Sequence, residues 1–594
     1  MKHNRKFFSN QILKKIVSPI EEKTIASFDI ETYGYMNKFY LGGLYTDKYY
    51  SFYNRNDMIN FINENCKDSI LFATNLMFDF QALYYNQKEW VDYKIIMRNG
   101  VLITASHNKI HFSDTLNYVP FGVKALGKFL SIDKLEGKNL IGKIPKTEYM
   151  ERKLRQYNKI DCLITRNFML EFQKAINFLG AELKMTIAST SLNLYLRKYI
   201  PFTIFKEPFN CREFIHEGYY GGRTECFSRG RLNRKKKYYW YDFNSMYPFC
   251  MLNKYPLPSS AKKLKYKRKY TNTKIIMKYE GMSRVKVFCP YMYYPLLPVW
   301  LNGKLTFPVG TFEGVYTHIE LREAMKKGYI IENISETLYY TKTFYPFKKF
   351  VTDMYKLKMK YKKNNNVIME QAVKLLMNSL YGKFATKDMQ DIKFYDIQNK
   401  YYTDSELIGV QMTSRDTGYK ENEKECIQNY VMPILSAYTT AYGRIMLHNL
   451  LEQAEALYCD TDSGLTEKEI IISKKLGGLK LEKLISDGYI IRPKLYAIYD
   501  INKITEGKHK GKSKGWNITT KGIRRPTIQT IWDIMNNKAI RQEKFMKIKE
   551  AINRDYNPNQ RHIMYKKQSL EDNKRLWNGR FDKTKLEKSF PIHL

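Results

Sequence analysis

A chain of 594 residues is long enough for three to five domains, each with its own core. Its 100 Lys and Arg against 59 Asp and Glu leave a formal charge of +41, which with 49 tyrosines points to a polyanion with stackable rings, although A/T-rich coding raises the same residues. No apolar run approaches a membrane span, the basic N-terminus lacks a signal-peptide core, and the eight cysteines form no C-x-x-C pair, so the composition excludes an integral membrane protein and a zinc module and predicts a soluble chain in a reducing compartment.

Residues Ile25 to Glu31 read as a buried strand whose end presents two acids, Asp29 and Glu31. Leu71 to Asn75 is a second apolar strand, and Asp79 follows it. Apolar spacing from Glu148 to Leu179 is helical, so Tyr157 and Asp161, four apart, share one face. Each acid alone reads as a surface residue or a cap. Four carboxylates together can hold two metal ions about 3.5–4 Å apart, which activates a water and steadies the leaving oxygen in phosphodiester cleavage.

A linker-like helical stretch, Ala181 to Tyr199, leads to Tyr219-Tyr220-Gly221-Gly222-Arg223, where paired glycines permit a sharp turn or a close backbone approach. Tyr238 to Phe243 is an aromatic strand ending at Asp242, followed by Asn244-Ser245-Met246-Tyr247-Pro248. Phe347 to Lys363 and Val367 to Phe384 are helical, joined by Asn364-Asn365-Asn366 into an antiparallel pair. On the second helix Lys374, Asn378 and Tyr381 share one face, and Val373, Leu376 and Leu380 line another. Ala456 to Leu465 reads as a β-hairpin with Asp460 and Asp462 at its tip. By itself an acidic turn of this kind is a solvated surface feature. Lys494-Leu495-Tyr496 follows, and from Lys503 onward the tail is dense in Lys and Arg, as a segment that clasps duplex phosphates would be.

In this order the motifs resemble those of the family B DNA polymerases, most closely the protein-primed branch that replicates the linear, terminal-protein-capped genomes of small Bacillus-type podophages. The resemblance implies an α+β multi-domain chain. A DnaQ/RNase H-like 3′–5′ exonuclease domain would take 1–200, joined to a right-hand polymerase with palm at 201–260 and 431–500. Fingers and motif B would take 346–386, and the thumb with the C-terminal tail 501–594. Two terminal-protein-region insertions complete it, 261–345 to dock a priming protein and 387–430 as a strand-displacement flap.

The family's residue roles carry over motif by motif. D-x-E, N-x-x-F-D and Y-x-x-x-D make Asp29, Glu31, Asp79 and Asp161 metal ligands, with Tyr157 orienting the water. Thr32, Asn75, Phe78, Thr115 and Leu116 match residues that hold a frayed primer end. Lys138 is assigned as the catalytic lysine, with Lys143 as the alternative. Tyr219, Gly221 and Gly222 form the Y-x-G-G motif that contacts template. In motif A, Asp242 binds both metals, Ser245 sits near the triphosphate, and Tyr247 lies under the sugar, where a 2′-hydroxyl clashes. Motif B supplies Lys374, Asn378 and Tyr381, and Lys362 matches a second triphosphate lysine. In motif C, Asp462 is the firmer ligand and Asp460 secondary, while Lys494 and Tyr496 steady the primer terminus. The implied cofactors are two Mg²⁺ per site, with Mn²⁺ as a substitute. The implied partners are template-primer DNA, dNTPs and a terminal protein primer, with no membrane, the protein being a monomer or a heterodimer with terminal protein in a host cytoplasm. A repair-type family B enzyme that needs no protein primer and a non-catalytic nucleic-acid-binding relative are the alternatives; the clustered acids stand against the second.

Overall fold

The computed structural model describes residues 12–34, 38–84, 92–98, 101–137, 140–386, 389–396, 403, 410–412, 417–424, 430–502, 515–546, 548–554, 556 and 560–594. The first domain is built on β1 (Thr24–Tyr33), β2 (Lys38–Tyr45), β3 (Tyr49–Phe52), β4 (Ser69–Ala73), α1 (Leu76–Tyr84), β5 (Lys94–Arg98), β6 (Val101–His107) and β7 (Ile110–Asp114). β4 lies parallel between β1 and β7 and is buried on both faces, which is why it reads as an unbroken apolar run. The long helix α2 (Glu148–Leu179) covers β1 and β2. The Thr147 hydroxyl caps its N-terminus and Gly180, at φ 92°, closes it in the left-handed region.

After α3 (Ile187–Leu194) the chain enters a second sheet through β8 (Thr224–Cys226), β9 (Ser228–Arg231) and β10 (Tyr238–Phe243). It then leaves for an antiparallel sheet of β11 (Ala261–Lys265), β12 (Glu280–Cys289), β13 (Gly310–Thr317) and β14 (Ile330–Tyr340), in the order β11-β14-β12-β13. Next come the antiparallel helices α4 (Lys348–Lys363) and α5 (Val367–Lys383). α5 is fixed to α3 by the Ser191 hydroxyl, which donates to the Leu376 carbonyl. β15 (Met389–Asp396) and β16 (Thr417–Lys424) form a hairpin that extends the first sheet, Asp391 and Ile392 pairing with Ile96 and Ile95 of β5. The expected flap is thus hydrogen-bonded to the first domain; its intervening residues 397–402, 404–409 and 413–416 lie outside the described ones.

α6 (Pro433–Ala454) is buried along nearly its whole length. It leads to β17 (Tyr458–Asp460), β18 (Ser463–Thr466), β19 (Leu479–Arg492), β20 (Leu495–Asp500) and β21 (Trp516–Thr519), and near the C-terminus β22 (Leu586–Lys588) returns. The second sheet runs β8-β17-β18-β10-β19-β9-β22, with β20 on β19 and β21 on β20. One apolar core, including Phe72, Phe168, Phe172, Phe350, Leu376, Leu380 and Ala437, joins α2, the helix pair and α6.

Within 501–594, expected as thumb with a C-terminal tail, several segments are bound into the rest of the chain. β21 and β22 are strands of the second sheet, Arg575 is buried on Glu225 and Ser589, and Leu594 exchanges backbone bonds with Val309 and Thr311. Leu586-Glu587-Lys588 has too short an apolar pattern to declare a strand; backbone pairing with β9 makes it one.

Candidate active sites

Asp242 ends β10 and Asp462 sits at the tip of the β17–β18 hairpin. The Phe243 amide donates to the Asp462 carbonyl at 2.9 Å, so the two acids stand on neighbouring strands. Burial first, then Asp242, pushes the Asp462 carboxyl up to about 6, and burial also raises Asp242 against the nearby Lys480 ammonium. Asp460 is turned to other partners. It accepts from Lys494 Nζ at 3.0 and 3.1 Å and from the Thr224 hydroxyl at 3.0 Å. Tyr496 packs under the hairpin, its ring 5.4 Å from Tyr458 and 5.3 Å from Trp240, so the K-x-Y segment supports the acids from below.

The turn after Asp242 is held by strain and by a loop absent from the sequence-based expectation. Ser245 has φ 53°, a costly conformation for a residue with a side chain. Asn244 exchanges backbone bonds at 2.8 Å with Gly478 and Gly477, and its side chain donates to the Ser473 carbonyl. Tyr247 lies against Tyr381 with ring centres 4.6 Å apart, and a Cβ on Gly443 would stand 3.0 Å from its ring. The two glycines of Y-x-G-G differ. A Cβ on Gly222 would meet Thr461 Cγ2 at 2.8 Å and the Tyr247 hydroxyl at 2.9 Å, whereas Gly221 has open space. Tyr219 lies just ahead of them, beside Tyr247 and Tyr381 in the same electrostatic environment. Across the cleft Lys362, Lys374 and Asn378 are exposed on α4 and α5, with Tyr381 half-buried one turn on.

In the first domain four acids converge from three elements. Asp29 and Glu31 come from β1, Asp79 from the first turn of α1, and Asp161 from α2 beside Tyr157. Asn158 donates to Asp29, and the Ile30 amide donates to Asp79 at 2.9 Å. Burial is the leading cause that raises all four acids, Glu31 to about 7; mutual repulsion adds to it at Asp29, Glu31 and Asp79, while Lys134 and Tyr157 oppose it at Asp161. Asp114 orders the rim: its carboxylate accepts from the amides of Asn75, Leu76 and Leu116. Asn75 is left-handed at φ 73°, Thr115 bonds Thr74 at 2.9 Å, Leu116 is exposed, and Thr32 is buried at the end of β1. The Phe78 ring meets Phe545 of the C-terminal region at 5.2 Å.

Lys138 lies outside the described residues, and the lysine on the acids is another. Lys134 Nζ bonds Asp161 and lies over the Tyr157 ring at 4.7 Å. Burial works against its ammonium, but Asp161 outweighs that and raises it. Lys143, the alternative, forms no such contact with Asp161.

The family model described as DNA polymerase type B, organellar and viral, matches residues 57–442. The chain belongs to this family. The DNA-directed DNA polymerase of Enterobacteria phage PRD1 is 25% identical over 513 residues, 83% of this chain and 86% of that protein. The DNA polymerase of Bacillus phage Nf is 26% identical over 444 residues, 69% and 71%. A probable DNA polymerase of Podospora anserina is 26% identical over 571 residues, 80% of this chain but 45% of the fungal protein. The chain spans less than half the length of its Podospora, Ascobolus and Neurospora relatives. The structure of phi29 DNA polymerase complexed with primer-template DNA and incoming nucleotide substrates matches with a TM-score of 0.68 at 18% identity, over 93% of this chain and 100% of that one. That likeness shows the fold of a family B polymerase: an exonuclease domain, then palm, fingers and thumb.

In this type B polymerase the donor sets fit divalent cations. Asp161 Oδ1 is buried without a hydrogen-bond partner, and at both sites burial raises the carboxylates, a penalty that a bound divalent cation would relieve. Among the described residues no three acids yet stand as a closed metal cluster; an ammonium holds Asp161 in one site, and Lys480 approaches Asp242 in the other. No helix among the described residues is long and apolar enough to cross a membrane.

Proposed function

We propose that the chain is a DNA-dependent DNA polymerase of the protein-primed branch with a 3′–5′ exonuclease, acting in a host cytoplasm. The observation that carries this reading is the Phe243–Asp462 backbone bond, which sets the two motif acids side by side on the floor of a lysine-walled cleft. Asp242 and Asp462 would hold two Mg²⁺, or Mn²⁺, which when bound activate the attacking hydroxyl and neutralise phosphate charge. Lys362 and Lys374 draw the triphosphate in, the primer 3′-hydroxyl attacks the α-phosphate, and pyrophosphate departs toward the lysines. Tyr247, held against Tyr381 with Gly443 beside it, would lie under the sugar, where its ring would clash with a 2′-hydroxyl. In the exonuclease site Asp29, Glu31, Asp79 and Asp161 would hold the second pair of cations, with Tyr157 and Lys134 orienting the water. Thr32, Asn75, Phe78, Thr115 and Leu116 guide the single strand.

Protein priming is supported by the β11–β14 sheet, which chemistry at Asp242 does not need. Its basic run is only partly available. Lys263 reaches Glu336 at 2.7 Å, while Lys265, exposed and 3.8 Å from the same carboxylate, joins Lys262, Lys267, Arg268 and Lys269 as exposed cations. The β15–β16 hairpin, bonded to the exonuclease sheet, supports a closed passage for template and hence strand displacement. The test is to incubate the protein with labelled dATP, Mg²⁺ or Mn²⁺, and candidate terminal proteins from the neighbouring genes. The expected product is a covalent protein–dAMP adduct, absent with Asp462→Asn. Charge reversal of Lys262, Lys265, Lys267, Arg268 and Lys269 should weaken it far more than elongation of an annealed primer. Elongation without any adduct would leave the repair-type reading in its place.

A further inference from the structure

Strand β19 carries a lysine that no motif assigned. Register pairs Lys480 directly with Asp242, and its Nζ stands 3.4 Å from Asp242 Oδ1. The side chain is 48% exposed, so its ammonium faces the open cleft, and an ion pair this wet holds the lysine only weakly in place. Opposite it, on α4, Lys358 is partly buried. Its pKa is lowered first by burial and then by Lys374, with Lys362 and Lys480 adding to it and Glu370 opposing. Lys358 on α4 therefore lies within electrostatic reach of Lys362 on its own helix, Lys374 on α5 and Lys480 on β19. In the absence of an anion that arrangement is self-repelling. A polyphosphate entering the cleft turns the repulsion into attraction.

We propose that Lys480 is a triphosphate ligand contributed by the palm, closing from below a cradle whose upper wall is Lys358, Lys362 and Lys374. The inference rests on the polymerase reading of the Asp242–Asp462 site. Without nucleotide Lys480 leans on Asp242. With a cation on Asp242 the lysine would lose its partner, and its half-exposed ammonium would be free to turn to the phosphates. Two plainer roles make different forecasts. A counter-ion that serves only Asp242 changes the metal requirement and leaves nucleotide affinity alone. A contact to primer phosphate changes DNA binding before any nucleotide is added.

The experiment compares wild type, Lys480→Ala, Lys480→Arg and Asp462→Asn. Each is titrated with dNTP against a protein–primer-template complex in Ca²⁺, which allows binding to be read without turnover, and KM is then measured in Mg²⁺. Lys480→Ala should need about tenfold more dNTP for half-maximal complex formation, the loss of one charge-assisted contact. Lys480→Arg should restore most of it, and binding to primer-template alone should be unchanged in both. Equal dNTP requirement in Lys480→Ala and wild type overturns the inference, as does an equal loss of binding to primer-template without nucleotide. In either case an active wild type and a dead Asp462→Asn leave the polymerase reading standing. A wild type that incorporates nothing overturns both.

Discussion

At the site of the first domain, the proposed exonuclease centre, four acids from three elements crowd into surroundings that burial makes hostile to charge, and one lysine, Lys134, enters with them. Around Asp242 two acids stand on adjacent strands, with Lys480 beside Asp242 on the same sheet and Lys358, Lys362 and Lys374 on the helices α4 and α5. Both sites suit phosphodiester chemistry with divalent ions, yet they distribute charge differently. The first crowds four raised acids around a single lysine, a deficit of positive charge that divalent cations would fill. The second sets two acids, one leaning on Lys480, near the lysines of α4 and α5, an arrangement suited to a ligand that is cationic on one side and polyanionic on the other, such as a metal–nucleotide complex.

The largest effects should come from separating the two. Asp242→Asn or Asp462→Asn should lower nucleotide incorporation roughly a thousandfold or more, several kcal/mol of transition-state stabilisation, and spare degradation of single strands. Asp29→Ala with Asp79→Ala should do the reverse. Loss of both activities in a folded Asp462→Asn protein would show that the sites are not independent.

Next in size is the lysine. Lys134→Ala should cut single-strand degradation about a hundredfold and leave primer extension intact, the scale of a lost acid–base or positioning group. Lys138→Ala should degrade single strands at the wild-type rate. The opposite pattern would restore the sequence-based assignment.

The choice between Lys134 and Lys138 marks the limit of what the sequence discloses. Motif acids were legible because each sits at a fixed distance from an apolar strand or on one helix face: Asp242 at the end of β10, Asp161 four residues from Tyr157. Lys134 was not, because it lies in an irregular segment before α2 where no period constrains which of several lysines turns inward. Lys480 was hidden for the converse reason. It sits in a strand whose alternation, Leu479-Lys480-Leu481-Glu482, announces a solvent face, and only pairing with β10 brings that face over Asp242. The basic tail misled by composition, since the charge of residues 568–594 conceals Arg575, which is buried on Glu225.

A smaller effect should distinguish the paired glycines. Gly222→Ala forces Thr461 or Tyr247 to move, so ribonucleotide discrimination should fall severalfold, while Gly221→Ala, with open space, should match wild type. Tyr247→Val sets the upper bound for that loss. Equal sugar discrimination in the two alanine variants would mean that the glycine loop does not brace Tyr247.

The smallest effect is a pH dependence that belongs to the exonuclease acids more than to the polymerase pair. Glu31 is raised by burial, then by Asp161, from its ordinary value to about 7, so the folded chain holds a proton that the unfolded chain has released. The folded state binding more protons, its contribution to stability is full below the ordinary glutamate range and is lost as pH rises through about 7. Metal-free wild type should therefore lose about 2–4 °C of melting temperature between pH 5 and pH 8 that Glu31→Gln, neutral throughout, does not lose. Asp462, raised only to about 6, should complete its smaller loss at lower pH, and Asp462→Asn should flatten the curve there instead. Divalent cation should return the lost degrees at pH 8 in wild type and less in Glu31→Gln, because the ion binds the ionised acids that the proton had been masking. Parallel melting curves for wild type and Glu31→Gln across the whole range would mean that the exonuclease acids titrate as solvated groups, and the contrast between a crowded and an open site would lose its electrostatic basis.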